Sequence, residues 1–283
     1  MKYVIFIFAI LLFVGCEQPI FDSTTPIEDK KNLNTLIDPS NSNNPYDSSG
    51  YYHNLALDYI MQHNEEFGCD SATNVNALKT LLIDFETEIL QSIPSNLVED
   101  SINNIFDEYF GYDIFLTPSQ FQAKYNITGP VQNKLNQLIN TAELITNSYT
   151  LEQVIDTIKN LESTWINDQY LTTNEKEILL RSSSILRYSF VYWNNVFNNP
   201  LHIWHGAFLD CNIINKHSDV LLALDELSTA EKLFGICISD AIGGAGGGIL
   251  GAVTASAATS IYIFWDDIGD ALSDAWDFVT SWF

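Results

Sequence analysis

Apolar residues recur at intervals of three and four along most of the chain beyond residue 50. This spacing places them on one face of an α-helix, and no stretch shows the alternation of apolar and polar residues that is typical of a strand. The apolar stripes begin at Leu55, Leu78, Ile102, Val131, Leu151 and Leu179. The sequence therefore predicts an all-α protein, folded as a multi-helix bundle.

Local signals indicate where several of these helices begin and end. Thr172 and Glu175 have the spacing of a capping box, and they open a helix that reaches about residue 197. Its apolar residues spread over much of the circumference, so we expect it inside the bundle. Pro94 ends the second helix because proline cannot continue a helical hydrogen-bond ladder. Thr117, with a proline after it, marks another helix start.

A glycine-rich segment near the C-terminus has a different pattern. Residues 241–265 carry no formal charge, and Gly243, Gly247 and Gly251 fall four residues apart. Glycines at this spacing form a smooth helix face that another backbone can approach closely, as in a glycine zipper. We expect a buried glycine-rich helix over 236–265, or a helical hairpin broken near residues 246–248. Residues 266–283 are predicted to form an amphipathic terminal helix.

The first sixteen residues, MKYVIFIFAILLFVGC, have the order of a secretory signal. Lys2 precedes an apolar run that is shorter than the roughly 20 residues of a membrane span. The run ends on Gly15 and Cys16, and this ending resembles the lipobox of bacterial lipoproteins, although Phe13 stands where leucine is usual. The resemblance implies that residues 1–15 are a signal peptide and that Cys16 is lipidated.

With its helical body and glycine-rich segment, the chain resembles uncharacterised lipoproteins of Gram-negative bacteria. That resemblance implies attachment to the outer membrane through the lipid, and no particular activity. Residues 16–50 are rich in Asp, Asn, Ser, Thr and Pro. We expect them to be a flexible tether, followed by one helical domain over 51–283.

Charge and cysteine content narrow the range of partners. The chain has 12 Lys and Arg against 36 Asp and Glu, a net charge of −24. Such a surface repels phosphate backbones, so we expect no nucleic-acid partner. The membrane, reached through the lipid, and an envelope protein are the candidate partners.

If Cys16 is lipidated, three cysteines remain, and Cys211 and Cys237 either form a disulfide or stay as buried thiols.

Motifs that would carry catalysis are missing from the sequence. It contains no Gly-x-Ser-x-Gly, Walker A, His-Glu-x-x-His or Cys-x-x-Cys motif. His202 and His205 are spaced to share a helix face, with Asp210 nearby, and these residue types suit zinc. Two histidines in an apolar, Trp-bearing segment are more often core or surface residues. We therefore expect no cofactor and keep the metal site as an alternative.

These observations favour a lipid-anchored cell-envelope protein with a non-catalytic structural or binding role. One alternative is a membrane-active, toxin-like protein that inserts its glycine-rich helix into a bilayer. The other is a metal-dependent enzyme that uses His202 and His205. The sequence leaves open the ligand, the membrane face and the oligomeric state.

Overall fold

The structure of the chain is a computed structural model. It describes residues 37–63, 71–90, 102, 127–147, 149–199, 201–202 and 228–264. This part contains helices and no strands, which confirms the prediction of an all-α bundle. The helix start predicted at Thr117, the terminal helix predicted over 266–283 and the N-terminal residues 1–36 lie outside the described residues.

Six α-helical elements follow one another in the described part of the chain. They are α1 (Ser48–Gln62), α2 (Ser71–Asp84), α3 (Gly129–Glu143), α4 (Leu151–Ile166), α5 (Thr173–Asn198) and α6 (Thr229–Phe264). A π-helical stretch, Phe85–Leu90, continues α2, and a 3-10 turn, Leu144–Asn147, continues α3.

Threonines begin three of these helices. Thr128, Thr150 and Thr172 each accept a hydrogen bond from the backbone amide three residues later. At Thr150 and Thr172 the side chain of that later residue bonds back to the threonine amide, which completes a capping box. The capping box predicted at Thr172 is therefore confirmed, and the helix that it opens ends within one residue of the predicted position.

α5 lies in the middle of the bundle and contacts α1, α3, α4 and α6. Its buried side chains occupy most of its circumference, as its sequence predicts. Residues 167–172 connect α4 to α5. The two helices run antiparallel, because Ile166 meets Lys176 next to the connection while Glu162 meets Arg187 farther along.

α1 runs parallel to α5 and keeps one register over two turns. Three hydrogen bonds join residues that are 134 positions apart: Gly50 to Ser184 (3.1 Å), Asn54 to Tyr188 (3.0 Å) and Asp58 to Tyr192 (2.9 Å). A constant offset means that the two helices advance together by one turn at a time. A Cβ atom on Gly50 would lie 2.5 Å from the Tyr188 ring, so the glycine allows this close approach.

α6 is a helical hairpin. Gly248 interrupts it with φ 65° and ψ −147°, a backbone conformation that residues with a side chain rarely adopt. Along a straight helix Gly243 and Gly251 would stand about 12 Å apart. Instead, a Cβ atom on either glycine would lie 2.4 Å from the carbonyl oxygen of the other. The chain therefore turns back at Gly248, and α6 has a first arm (residues 229–247) and a second arm (residues 249–264).

The sequence allowed two forms, a continuous glycine-rich helix and a helical hairpin broken near residues 246–248. The structure has the hairpin. Gly243 and Gly251 lie on facing arms, and Gly247 directly precedes the break. The three glycines therefore do not form one row along a single helix. The two arms approach closely because Gly243 and Gly251 place no side chain between their backbones.

Residues 37–50 differ from the flexible tether that their composition predicts. Asn41 and Asn44 are 8% and 3% exposed, and α1 already begins at Ser48. The segment has few apolar residues, but Ile37 and Tyr46 pack against the core. Polar contacts to α4 and α5 also hold it. Residues 16–36 of the predicted tether lie outside the described part of the chain.

Replacement of Gly243 by alanine tests the contact between the two arms. We expect Gly243→Ala to lower the free energy of unfolding by about 1–3 kcal/mol, because the new methyl group overlaps the Gly251 carbonyl. Urea titration followed by circular dichroism measures the change. Gly129→Ala is the control, since nothing lies within 4 Å of a Cβ atom at the start of α3. Equal stability of the two variants would contradict the hairpin contact.

Candidate functional site

Two groups of buried polar side chains lie against α5, at different places in the bundle. The first, called the clamp cluster, consists of Asn41, Asn44, Asp47, Glu162, Ser183 and Arg187. The second, called the hairpin cluster, consists of His53, Ser189, Trp193, Cys237, Asp240 and Ser256. Burial of a polar group is costly unless the group has a hydrogen-bond partner, so each cluster depends on the contacts among its own side chains.

Glu162 is the centre of the clamp cluster. Its side chain is fully buried on α4 and accepts hydrogen bonds from α5 and from the segment before α1. Oε1 accepts from Ser183 Oγ (2.7 Å) and from Arg187 Nε and Nη2 (3.1 and 3.0 Å). Asn44 Nδ2 donates to Oε1 (2.9 Å) and Asn41 Nδ2 to Oε2 (2.6 Å). These bonds compensate for the loss of water around a buried carboxylate.

Arg187 extends the clamp cluster to Asp47. Its Nη2 atom donates to Asp47 Oδ1 at 2.6 Å, and the guanidinium is fully buried. The Ser184 hydroxyl donates to the Asp47 carbonyl oxygen (2.7 Å), and the Tyr188 hydroxyl donates to Asp47 Oδ2 (3.2 Å). Burial, together with the negative charge of Asp47, raises the pKa of Tyr188 to about 12. The cluster thus fixes the chain before α1 to α4 and α5.

Asp240 is the centre of the hairpin cluster. It lies on the first arm of α6 and is fully buried. Its Oδ2 atom accepts a hydrogen bond from the Ser189 hydroxyl of α5 and lies 3.6 Å from His53 Nε2 of α1. On the second arm, Ser256 Oγ accepts from Trp193 Nε1 at 3.3 Å. Four helical segments therefore meet at this one carboxyl group.

Burial decides the charge state of the hairpin cluster. It raises the pKa of Asp240 to about 8, although the hydrogen bond from Ser189 acts in the opposite direction. It lowers the pKa of His53 to about 4. Burial also raises the pKa of the Cys237 thiol. At neutral pH the carboxyl, the imidazole and the thiol are all uncharged, so Asp240 and His53 form a neutral pair.

Ser189, Asp240 and His53 are the residue types of a hydrolytic triad, but their order in space differs. A triad places the imidazole between the serine and the carboxylate, so that it can remove the serine proton. Here the carboxyl lies between the other two, and the Ser189 hydroxyl donates to it. All three side chains are 0% exposed. The arrangement joins helices and does not activate a nucleophile.

The predicted metal ligands are only partly described. The His202 amide donates to the Asn199 carbonyl (2.9 Å), and its ring meets that of Tyr192 edge-on at 5.9 Å. His205 and Asp210 lie outside the described residues. Within the described ranges, no group of three or more side chains is placed to hold a metal ion. The metal site at these three positions stays a hypothesis.

Cys16, the predicted site of lipidation, lies outside the described residues. Cys237 carries a buried free thiol. Of the helices that are described, none is long and apolar enough to cross a membrane. No protein-family model, curated protein or solved structure matches this chain. The geometry of the two clusters and the N-terminal sequence are therefore the basis for a functional proposal.

Sequence reasoning missed both clusters. A signal for one was Arg187, a charged residue on a helix whose apolar residues spread over most of the circumference. A signal for the other was Asp240, the last charge before the uncharged residues 241–265. Neither signal identifies the partner residues, since Asn44 and Glu162 are 118 positions apart.

Replacement of Glu162 by glutamine tests the clamp cluster. The change leaves Arg187 with Asp47 as its one remaining carboxylate partner among the described residues and turns amide hydrogens toward existing donors. We expect the free energy of unfolding to fall by about 3 kcal/mol, as measured in urea. Asp156→Asn removes the same charge from an exposed position of α4 and should change stability by less than about 0.5 kcal/mol. Similar losses in the two variants would rule out a specific role for Glu162.

The hairpin cluster predicts how stability depends on pH. The ordinary pKa values are 3.8 for the aspartate and 6.5 for the histidine, against about 8 and about 4 in the fold. Between pH 4 and 6.5 the fold loses stability through Asp240 and gains it equally through His53 as pH rises. Between pH 6.5 and 8 only the loss remains, at about 1.4 kcal/mol per pH unit.

His53 is still half protonated in the unfolded chain at pH 6.5, and Asp240 is half ionised in the fold at pH 8, so the slope is smaller at both ends of this range. We therefore expect the free energy of unfolding to fall by about 1.3 kcal/mol between pH 6.5 and 8. Asp240→Asn keeps the shape of the protonated carboxyl and should remove this fall. Urea titrations of both proteins at pH 5, 6.5, 8 and 9 measure the effect. The same decrease in the variant would assign the pH dependence to other groups.

Proposed function

We propose that the chain is a lipid-anchored protein of the bacterial cell envelope, held at the outer membrane through Cys16, with a non-catalytic structural or binding role. The observation that carries the proposal is the N-terminal sequence, in which a charged start and an apolar run end on Gly15 and Cys16. An export signal followed by a lipidated cysteine would place the helical bundle at a membrane surface.

The clamp cluster supports this proposal by giving the anchor a firm attachment point. Asn41, Asn44 and Asp47 hold the chain before α1 to α4 and α5. A lipid on Cys16 would thus be connected to the middle of the bundle and not to a helix end that frays easily. The stretch from Cys16 to residue 37 spans 21 positions (37 − 16), which reach about 75 Å at most when extended.

The chemistry of the described core supports the non-catalytic part of the proposal. The buried carboxyl groups of Glu162 and Asp240 contact other helices, and their side chains are 0% exposed. General acids, bases and nucleophiles must reach a substrate within hydrogen-bond distance. Groups buried in this way stabilise contacts between helices. The net charge of −24 favours a basic or cation-bearing envelope protein as the binding partner.

Labelling with radioactive palmitate tests the anchor. The full-length chain, produced in a Gram-negative host, should incorporate the label and sediment with membranes. Cys16→Ser should lose the label and the membrane association, whereas Cys69→Ser, the matched control, should keep both. Mass spectrometry of the mature N-terminus should find a lipid-modified residue 16. A Cys16→Ser protein that still carries the label would disprove lipidation at this site.

A second candidate function, membrane insertion of the hairpin, is favoured by the break at Gly248. The hairpin carries no formal charge from residue 241 to its end. A Cβ atom on Gly244 would lie 3.7 Å from Ile185 Cγ1, so cysteines at these two positions can cross-link the first arm to α5. Dye leakage from vesicles by the reduced double variant, but not by the oxidised one, would support insertion. Absence of leakage between pH 5 and 9 would reject it.

A further inference from the structure

The hairpin and the rest of the bundle depend on different polar clusters. The clamp cluster joins the segment before α1 to α4 and α5, and none of its six residues belongs to the hairpin. The hairpin cluster joins both arms of α6 to α1 and α5 through Asp240 and Ser256. A change at Asp240 therefore affects the attachment of the hairpin and leaves the clamp cluster untouched.

Among the described residues, Asp240 has no positively charged side chain beside it to stabilise its ionised form. The titratable groups that face it are His53 from α1 and Cys237 from its own arm, and burial keeps both uncharged at neutral pH. α5 faces it with Ser189 and Trp193, and the second arm faces it with Ser256, none of which carries a charge. The buried cation of α5, Arg187, is already bound to Glu162 and Asp47.

Two buried atoms of this cluster also have no hydrogen-bond partner among the described residues. They are Asp240 Oδ1 and His53 Nε2. An ionised carboxylate needs more hydrogen bonds than a neutral carboxyl group, and here one of its oxygens has none. Burial therefore favours the protonated acid and outweighs the hydrogen bonds from Ser189, Ser256 and Trp193, which act in favour of the anion.

The hairpin is also attached to α5 through small residues. The first arm runs antiparallel to α5, with three levels of contact: Gly248 near Arg181, Gly244 near Ile185, and Asp240 bonded to Ser189. At these three levels the glycines bury little apolar surface. The apolar part of docking comes from other positions of the first arm, whose large side chains are buried in the core: Leu233, Phe234, Ile236, Ile238 and Ile242. The contact between Gly243 and Gly251 lies inside the hairpin and can persist when the hairpin leaves α5.

We propose that loss of the proton from Asp240 releases the α6 hairpin from α1 and α5, while α3, α4, α5 and the segment held by the clamp cluster stay folded. The hairpin is thus a conformational device controlled by pH, with Asp240 as its trigger. Release presents to the surroundings a hairpin without formal charge over residues 241–264. This inference does not depend on the lipid anchor.

The pH profile of release follows from the two buried groups that it exposes. Once exposed, Asp240 and His53 return to ordinary pKa values of 3.8 and 6.5. Their effects cancel between pH 4 and 6.5. Above pH 6.5 the open fraction rises by up to tenfold per pH unit until Asp240 also ionises in the closed form, near pH 8. Because His53 is still half protonated in the open form at pH 6.5 and Asp240 is half ionised in the closed form at pH 8, the total increase between these two values is about eightfold.

Cys237 reports on release, because it lies in the hairpin cluster and is 0% exposed. The experiment measures its alkylation by iodoacetamide in the full mature chain, with peptide mass spectrometry to separate it from the other cysteines. At each pH the rate is divided by that of the urea-unfolded protein, which removes the pH dependence of thiol reactivity. Hydrogen exchange of the α4 amides, recorded in parallel, distinguishes local release from global unfolding.

We expect the protection of Cys237 to change little from pH 4.5 to 6.5, to fall about eightfold by pH 8 and then to level off. The free energy of global unfolding falls in parallel, so the α4 amides are compared with Cys237 by their absolute protection and should stay far better protected at every pH. Constant protection of Cys237 across the whole range would overturn the proposal. So would equal protection of Cys237 and the α4 amides, because it would mean that Cys237 becomes exposed only when the entire bundle unfolds.

Three variants assign the effect to Asp240. Asp240→Asn should abolish the fall between pH 6.5 and 8. Ser189→Ala removes a hydrogen bond that lowers the pKa of Asp240, so the fall in Cys237 protection should continue to higher pH before it levels off. Ser182→Ala is the matched control, since this serine is equally buried on α5 but donates to the Ile178 carbonyl of its own helix. If Asp240→Asn does not fold, an unshifted profile in Ser189→Ala still overturns the proposal.

Discussion

The carboxylate of Glu162 is the interaction on which the arrangement of this bundle depends. A charged group that is 0% exposed is costly unless donors surround it, and here five hydrogen bonds reach it from α5 and from the chain before α1. Arg187 supplies the compensating positive charge and also forms an ion pair with Asp47. α4, α5 and the entry to α1 thus take one relative position, the one in which these donors converge.

Close approach of backbones is the second constraint, and glycine makes it possible. Gly50 brings α1 against α5, and Gly243 and Gly251 bring the two arms of α6 together. In each case a single methyl group would overlap a neighbouring atom. The arms are connected through Gly248, whose positive φ allows the chain to reverse within a helix of small residues. The two arms therefore meet backbone to backbone at Gly243 and Gly251, while the large apolar side chains of the first arm, among them Leu233, Phe234 and Ile236, are buried in the core.

This combination separates the bundle into a firmly held part and a part that responds to proton uptake. The clamp cluster contains a paired cation, so its carboxylates are compatible with a buried site. In the part of the chain that the structure describes, the hairpin cluster places no cation beside Asp240, and burial keeps that carboxyl group neutral at pH 7. An envelope protein of the kind proposed above would experience the pH of its surroundings. A hairpin held by one protonated carboxyl group would give such a protein a means to respond.

Helix positions, the Thr172 capping box and the all-α class follow from the sequence by itself, because each depends on residues within a few positions of one another. The sequence allowed a break among the glycines as one of two alternatives, and the structure decided for it. Only the tertiary structure decided which polar residues became buried partners. Asn44 and Glu162 are 118 positions apart, and His53 meets Asp240 from a different helix. Composition predicted a tether over 16–50, yet residues 41–47 are bound to the core through hydrogen bonds. Such contacts depend on how distant helices meet, and local spacing does not contain that information.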